Sequence, residues 1–179
     1  RLQQIGTNRP EGSKGWRDQA KMQENRARAL VHLKFACHLY LRQIARGGYF
    51  IHEHPSSADS WSEPCIQEVW AKIGVRRVIC DQCIFGQATE SGDPVKKPTC
   101  FLTNSTEIAV ILAKRCEGRD GRCGRPAGGY HAPCIGKVAQ RAAIYHDQLC
   151  EAILKGLCKQ MRVDRKQRSM EIGVIAGEA

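Results

Sequence analysis

The sequence has no long apolar run. Its longest candidate, "IAVILA" at 108–113, falls far short of the ~20 residues a membrane-spanning helix needs. A spanning role is therefore not expected, and no stretch has the make-up of a secretory leader. No internal repeat appears, which excludes a stacked-repeat architecture. Acidic side chains are in short supply, with 18 Asp and Glu against 28 Lys and Arg, a formal net charge of +10. Such a surplus favours an anionic partner, nucleic acid before an acidic membrane surface. The first residue is Arg1 rather than Met, so the expectation is a piece of something longer.

What is present is ordinary for a globular chain: 179 residues, 42% hydrophobic and 26% charged, enough for one domain or part of one with a real core. Ten cysteines are many, but they are spread through periodic apolar segments rather than a loop-rich framework. They are expected to be mostly reduced thiols in an intracellular protein, nuclear or cytoplasmic.

Residues 1–19 are polar, aperiodic and contain Gly and Pro, and read as an irregular basic leader. Leu30, Leu33, Cys37, Tyr40 and Ile44 recur at spacings of three and four, which predicts a helix over 20–45 stopped by Gly47 and Gly48. A short strand is expected at 49–53. Ser60 or Ser62 is expected to cap a helix that starts near Pro64 and buries Ile66, Val69, Trp70 and Ile73. Strands follow at 75–80 and 98–103, separated by a polar loop. Asn104 and Glu107 have capping-box spacing for a helix reaching about Cys116. Residues 117–135 read as irregular, followed by a helix broken near His146. A half-domain over 20–162 and a charged, poorly ordered tail from 163 complete the reading. Helix and strand alternate at the start, and the second and third strands are joined without a helix. This predicts an α/β sheet of three strands with flanking helices and an antiparallel pair at the edge.

Several residues stand out for chemistry. Glu53 ends a strand between two imidazoles and before a proline, where it is either a rim carboxylate or a solvated strand end. Alternation puts His52 and His54 together on the opposite face, where they could hold a metal or simply be packed. Cys80 and Cys83 form half a zinc knuckle, with no second pair at matching distance. Cys116, Cys123, His131 and Cys134 could form a Cys3His zinc set, although their gaps of seven, eight and three are not those of a standard knuckle; loosely packed thiols are the alternative. Positions 1–46 carry ten Lys or Arg against three acidic residues, either a solvated face or a phosphate-contacting one.

Four stretches taken in order, "YFIHEHP", "VICDQCIFG", "VKKPTCFLTN" and "AAIYHDQLCEAI", resemble the C-terminal half of cytosine-5 DNA methyltransferases. The likeness is greatest to the phage-like branch and to methyltransferase-like segments of copia-type retrotransposon polyproteins in dinoflagellates and other protists. It covers roughly residues 25–160. It implies a partial Rossmann-like methyltransferase sheet with an antiparallel last strand. It also implies that Glu53 contacts the ring nitrogen of a flipped cytosine, while Lys97 and Asn104 lie near the nucleic acid. The sequence departs from the pattern at His54, where the family has asparagine, and at Ile84, where it has glutamine. No glycine-rich cofactor loop occurs. Cys65 follows Pro64, but at a helix start without the family's neighbours. The resemblance thus implies a methyltransferase-like fragment, inactive alone, that needs the missing N-terminal half of the domain to hold S-adenosylmethionine. A noncatalytic, zinc-stabilised nucleic-acid-binding module and a structural piece requiring a partner segment are the alternatives.

Overall fold

The computed structural model describes residues 16–177. Most of the expected leader lies outside the described residues. Its last four, 16–19, belong instead to a helix, α1, which spans Trp16–Ala45. Leu33 and Cys37 on its predicted stripe are buried, and Leu30, Tyr40 and Ile44 pack beside them. Gly47 ends the helix at φ +69°, a conformation open to glycine without a Cβ penalty.

Strand β1 is Ile51–Pro55, β2 is Arg76–Asp81 and β3 is Pro98–Thr103. They form one sheet in the order β1-β3-β2, with β3 antiparallel to both neighbours. The expected antiparallel β2–β3 pair is present, but β3 sits in the centre. β1 and β2 therefore run in the same direction without touching. The connection between them passes through a 3-10 turn at Asp59–Ser62 and helix α2, Pro64–Trp70. Neither Ser60 nor Ser62 caps α2; Glu63 occupies the cap without a side-chain bond, and Pro64 supplies the first helical residue. Ser60 is buried and bonds His54 instead. Ile73, expected on the buried stripe, lies beyond the end of α2 and is fully exposed.

Strand alternation divides the core in two. Phe50, Cys100 and Leu102 pack with α1 and α2 on one face. Cys80 and Phe101 pack on the other with helices α3, Thr106–Leu112, and α5, Asp147–Gly177. The architecture is thus a small mixed helix–strand fold, an antiparallel sheet with helices on both sides. Burying each large side chain such as Phe101, Ile66, Leu102 or Leu112 contributes about 1.5–3 kcal/mol.

Ser105, not Asn104, caps α3: its Oγ accepts the Ile108 N–H at 3.2 Å. The Asn104 amide instead accepts from Phe50 N at 3.0 Å and donates to Gly48 O at 2.8 Å, closing the entry to β1. α3 stops at Leu112, short of the expected Cys116, because Lys114 O turns back to accept Asp81 N at 3.0 Å. The break near His146 is present, between α4, Gly136–Arg141, and α5. The segment from 163, expected to be poorly ordered, continues α5 through Gly177. Its Arg, Lys, Gln and Met residues are good helix formers, and helix propensity prevails over the absence of a strong apolar stripe. Among the described residues no helix is long and apolar enough to cross a membrane.

Candidate functional site

The carboxyl ends of β1 and β2 lie at the same end of the sheet, and the chemistry-bearing residues gather there. Glu53 pairs across β3 with Phe101 and points to the α5 side, opposite His52 and His54. One of its carboxylate oxygens is buried without a hydrogen-bond partner. Tyr145, just before α5, is its neighbour: burial first, then the Glu53 carboxylate as hydrogen-bond and charge partner, raise the Tyr145 phenol above its usual range. Burial, followed by the charges of Asp81 and Glu53, pushes the Cys80 thiol up to about 12. Burial thus favours the neutral thiol of Cys80.

Lys97 precedes β3 at this end, but its ammonium donates to Ala142 O at 2.8 Å. Asn104 follows β3 at the opposite end, with its amide engaged by the backbone as described. The sheet therefore brings Lys97 but not Asn104 to the end occupied by Glu53.

His52 and His54 stack with ring centroids 4.7 Å apart, and both meet the Trp61 ring edge-on. Tyr40 Oη lies 3.2 Å from His52 Nδ1. Burial, and then the neighbouring His54, push His52 down to about 4. This is an aromatic core cluster held neutral by desolvation.

Beside the end of β2 a different set converges. Cys83, Cys116, Cys123 and His131 each place one ligand atom within 4.8 Å of the others. Cys83 sits in the 3-10 turn Gln82–Phe85 directly after β2. Cys116 follows α3 and is fixed to the sheet because its N–H donates to Asp81 Oδ2 at 2.8 Å. Cys123 and His131 come from a tight antiparallel loop, in which Cys123 N bonds Gly129 O and His131 N bonds Gly121 O, both at 2.8 Å. Burial opposes ionisation of Cys116, but N–H groups of Gly124 and Gly118 hold its thiol below the usual range. Burial and the adjacent Cys123 push Cys83 up. Three thiols and an imidazole that converge in this way are a donor set suited to a cation.

No protein-family model, curated protein or solved structure matches the chain. The site is accordingly read from its own geometry.

Three of the four residues expected to hold zinc are in this cluster. The fourth is Cys83 rather than Cys134, which is half-buried and outside the converging set. The signal for Cys83 was the Cys80-x-x-Cys83 pair, but only its second member reaches the cluster; Cys80 lies on the strand and faces the core.

At the far end of the sheet the basic face expected along 1–46 is joined by arginines of α5 that the sequence did not single out. Tyr49 stands between Arg42 and Arg46 at the end of α1 and Arg165 and Arg168 on α5, beside a cleft of about 580 Å³ and a second of about 630 Å³. Tyr49 donates to Asp164 Oδ2 at 2.6 Å, and that bond, the largest cause, lowers the Asp164 carboxyl below its usual range. All four arginines are exposed.

Proposed function

We propose that this chain is a methyltransferase-like fragment of a mobile-element polyprotein whose remaining activity is to hold nucleic acid. The observation that carries the binding role is the pair of clefts that share Tyr49, one lined by Arg42 and Arg46, the other by Arg165 and Arg168 with Asp164. Four exposed guanidinium groups on the two sides of Tyr49 suit the phosphates of a nucleic-acid backbone. The net charge of +10 adds a longer-range attraction.

The Rossmann-like methyltransferase ancestry is supported by strand direction. β1 and β2 run the same way and are joined through a helix, while the last strand is antiparallel. Glu53 keeps its base-contacting role by resemblance. Methyl transfer would need a thiolate nucleophile and a site for S-adenosylmethionine, and the residues of this chain supply neither motif. A nucleic-acid role for Lys97 and Asn104 rests on the resemblance alone; their side chains bond Ala142 O and the Phe50 and Gly48 backbone.

The test is fluorescence anisotropy with labelled single-stranded and duplex DNA and with RNA, over a salt series. Micromolar binding that weakens steeply with salt is expected. Arg165→Ala with Arg168→Ala should reduce the log–log salt slope by about 1–2. Undetectable binding at low salt removes the reading. Labelled S-adenosylmethionine should give no incorporation into cytosine-containing DNA above a Glu53→Ala control.

A noncatalytic, zinc-stabilised nucleic-acid-binding module is the second reading, favoured by the convergence of three thiols and an imidazole.

A further inference from the structure

We propose that Cys83, Cys116, Cys123 and His131 bind one structural Zn²⁺ that fastens the Cys-rich loop to the end of β2. This holds whether or not the chain descends from a methyltransferase.

The argument starts from distances. A tetrahedral zinc with Zn–S of ~2.3 Å and Zn–N of ~2.0–2.1 Å sets two sulfurs about 3.8 Å apart, and a sulfur and a nitrogen about 3.6 Å apart. Cys116 Sγ and Cys123 Sγ are 3.8 Å apart, and Cys116 Sγ and His131 Nε2 are 3.6 Å apart. The sulfur pair is much too far apart for a disulfide, whose bond is about 2.05 Å. It also has the spacing that two corners of a zinc tetrahedron demand.

The surroundings are those of a built site. Cys83, Cys116 and Cys123 are buried at 0%, 8% and 7% exposure, and among the described residues only Ile84 supplies apolar packing against them. Three thiols and an imidazole make a poor hydrophobic core, so something other than apolar burial must hold the loop. Gly124 N lies 3.3 Å from Cys116 Sγ and donates to it, an N–H···S bond that stabilises a thiolate. Asp81 grips the N–H of Cys116, so the ligand is oriented through the sheet.

The loop backbone is shaped for close approach. Gly118 has no room for a Cβ, which would collide with the Arg122 carbonyl and lie 2.7 Å from Gly124 N. Asp120 takes φ +49° and Gly121 φ +77° at the turn. Three thiolates around a divalent cation leave a net charge of about −1. The segment 115–125 carries four arginines against Glu117 and Asp120, a net positive charge of the opposite sign.

Four protein ligands fill a tetrahedron, so no position remains for water or substrate. The role is structural. Soft sulfur ligands with one imidazole select zinc over magnesium or calcium.

The experiment uses the full chain, purified under reducing conditions, dialysed against metal-free buffer and analysed for all metals by plasma mass spectrometry. About one zinc per chain is expected. Cys83→Ser should lose most of its zinc, whereas Cys134→Ser should retain it. Cobalt-substituted wild type should show thiolate-to-metal charge-transfer bands, unchanged in Cys134→Ser.

Should Cys83→Ser fail to fold, alkylation mapping of the wild type decides. Cys83, Cys116 and Cys123 should become modified only after a chelator is added, while Cys134 reacts with or without it. Absence of stoichiometric metal, another metal in its place, or identical behaviour of Cys83→Ser and Cys134→Ser overturns the assignment. So does alkylation of the three thiols that is indifferent to chelator.

Discussion

The buried carboxylate of Asp81, 0% exposed, accepts the backbone N–H of Cys116 at 2.8 Å and the Nε–H of Arg115 at 2.9 Å. A single side chain at the end of β2 thereby fixes where the chain leaves α3. Asp81→Ala removes Oδ2, the one oxygen that accepts both bonds, and the buried Cys116 N–H loses its partner. Hydrogen bonds to a charged group are worth about 1.5–3 kcal/mol, so urea unfolding should show a loss of that order. A loss below measurement error would mean that the carboxylate is not what holds this junction.

Gly156 on α5 tests packing against helix propensity. Alanine is favoured over glycine in a helix by about 0.8–1.0 kcal/mol. A Cβ at Gly156 would, however, lie 2.8 Å from Ile108 Cα and 3.1 Å from Ile108 N, against backbone that cannot rotate away. Overpacking of this kind costs typically about 1–3 kcal/mol. Gly156→Ala should be net destabilising, on the order of 1 kcal/mol, read from the urea midpoint. Stabilisation would show that α5 stands further from α3.

The His52 prediction concerns pH. Its folded-state value is about 4, depressed by burial and then by His54. The unfolded histidine takes up a proton near its ordinary 6.5, so between about 6.5 and 4 the unfolded chain holds more protons. Stability is therefore fully present above about pH 6.5 and falls as the pH drops towards 4. At ~1.36 kcal/mol per unit the loss is at most about 3 kcal/mol. With 6% of the residue exposed, solvent screening removes little of it. His52→Leu should flatten the curve of unfolding free energy across that range, leaving slope from His54, whose value is also lowered by burial. An unchanged slope would locate the titration elsewhere.

Gly118→Ala addresses the Cys-rich loop without touching a sulfur. The added methyl would displace the Arg122 carbonyl and Gly124 N. Bound zinc should fall together with the melting temperature, whereas Gly92→Ala, in open space though at φ +88°, should leave zinc content unchanged. If the two variants carry equal zinc, the tight turn is not required for ligation.

Much of the fold was legible because it rests on local periodicity. The stripe from Leu30 to Ile44 and the alternation that separates Glu53 from His52 and His54 are set by helix and strand geometry within a few residues. The strand order was not legible, because no local pattern distinguishes a central third strand from an edge one. The zinc set was legible in part for the same reason. Cys116, Cys123 and His131 share one loop, so proximity in sequence gathers them. Cys83 arrives only because β2 and the path after α3 end side by side, through the Asp81 N–H bond to Lys114 O. Cys134, three residues from His131, was the nearer choice by sequence and lies outside the set. Asn104 had capping spacing, yet the neighbouring Ser105 caps α3 while Asn104 closes β1, a division that depends on the β1–β3 register.

The central position of β3 also fixes an order of events during synthesis. Among the described residues β1 and β2 pair only with β3, through contacts such as Ile51 with Thr103 and Arg76 with the same Thr103. A ribosome that has released residues up to the polar loop has thus presented two strands that have no partner in each other. Both leave backbone donors and acceptors open along their edges until Pro98–Thr103 emerges. The long loop closures then fall together, when one short segment slots between two waiting ones. A truncation before Pro98 would expose the chain to intermolecular strand pairing, whereas one after Thr103 leaves all three strands able to pair within the chain.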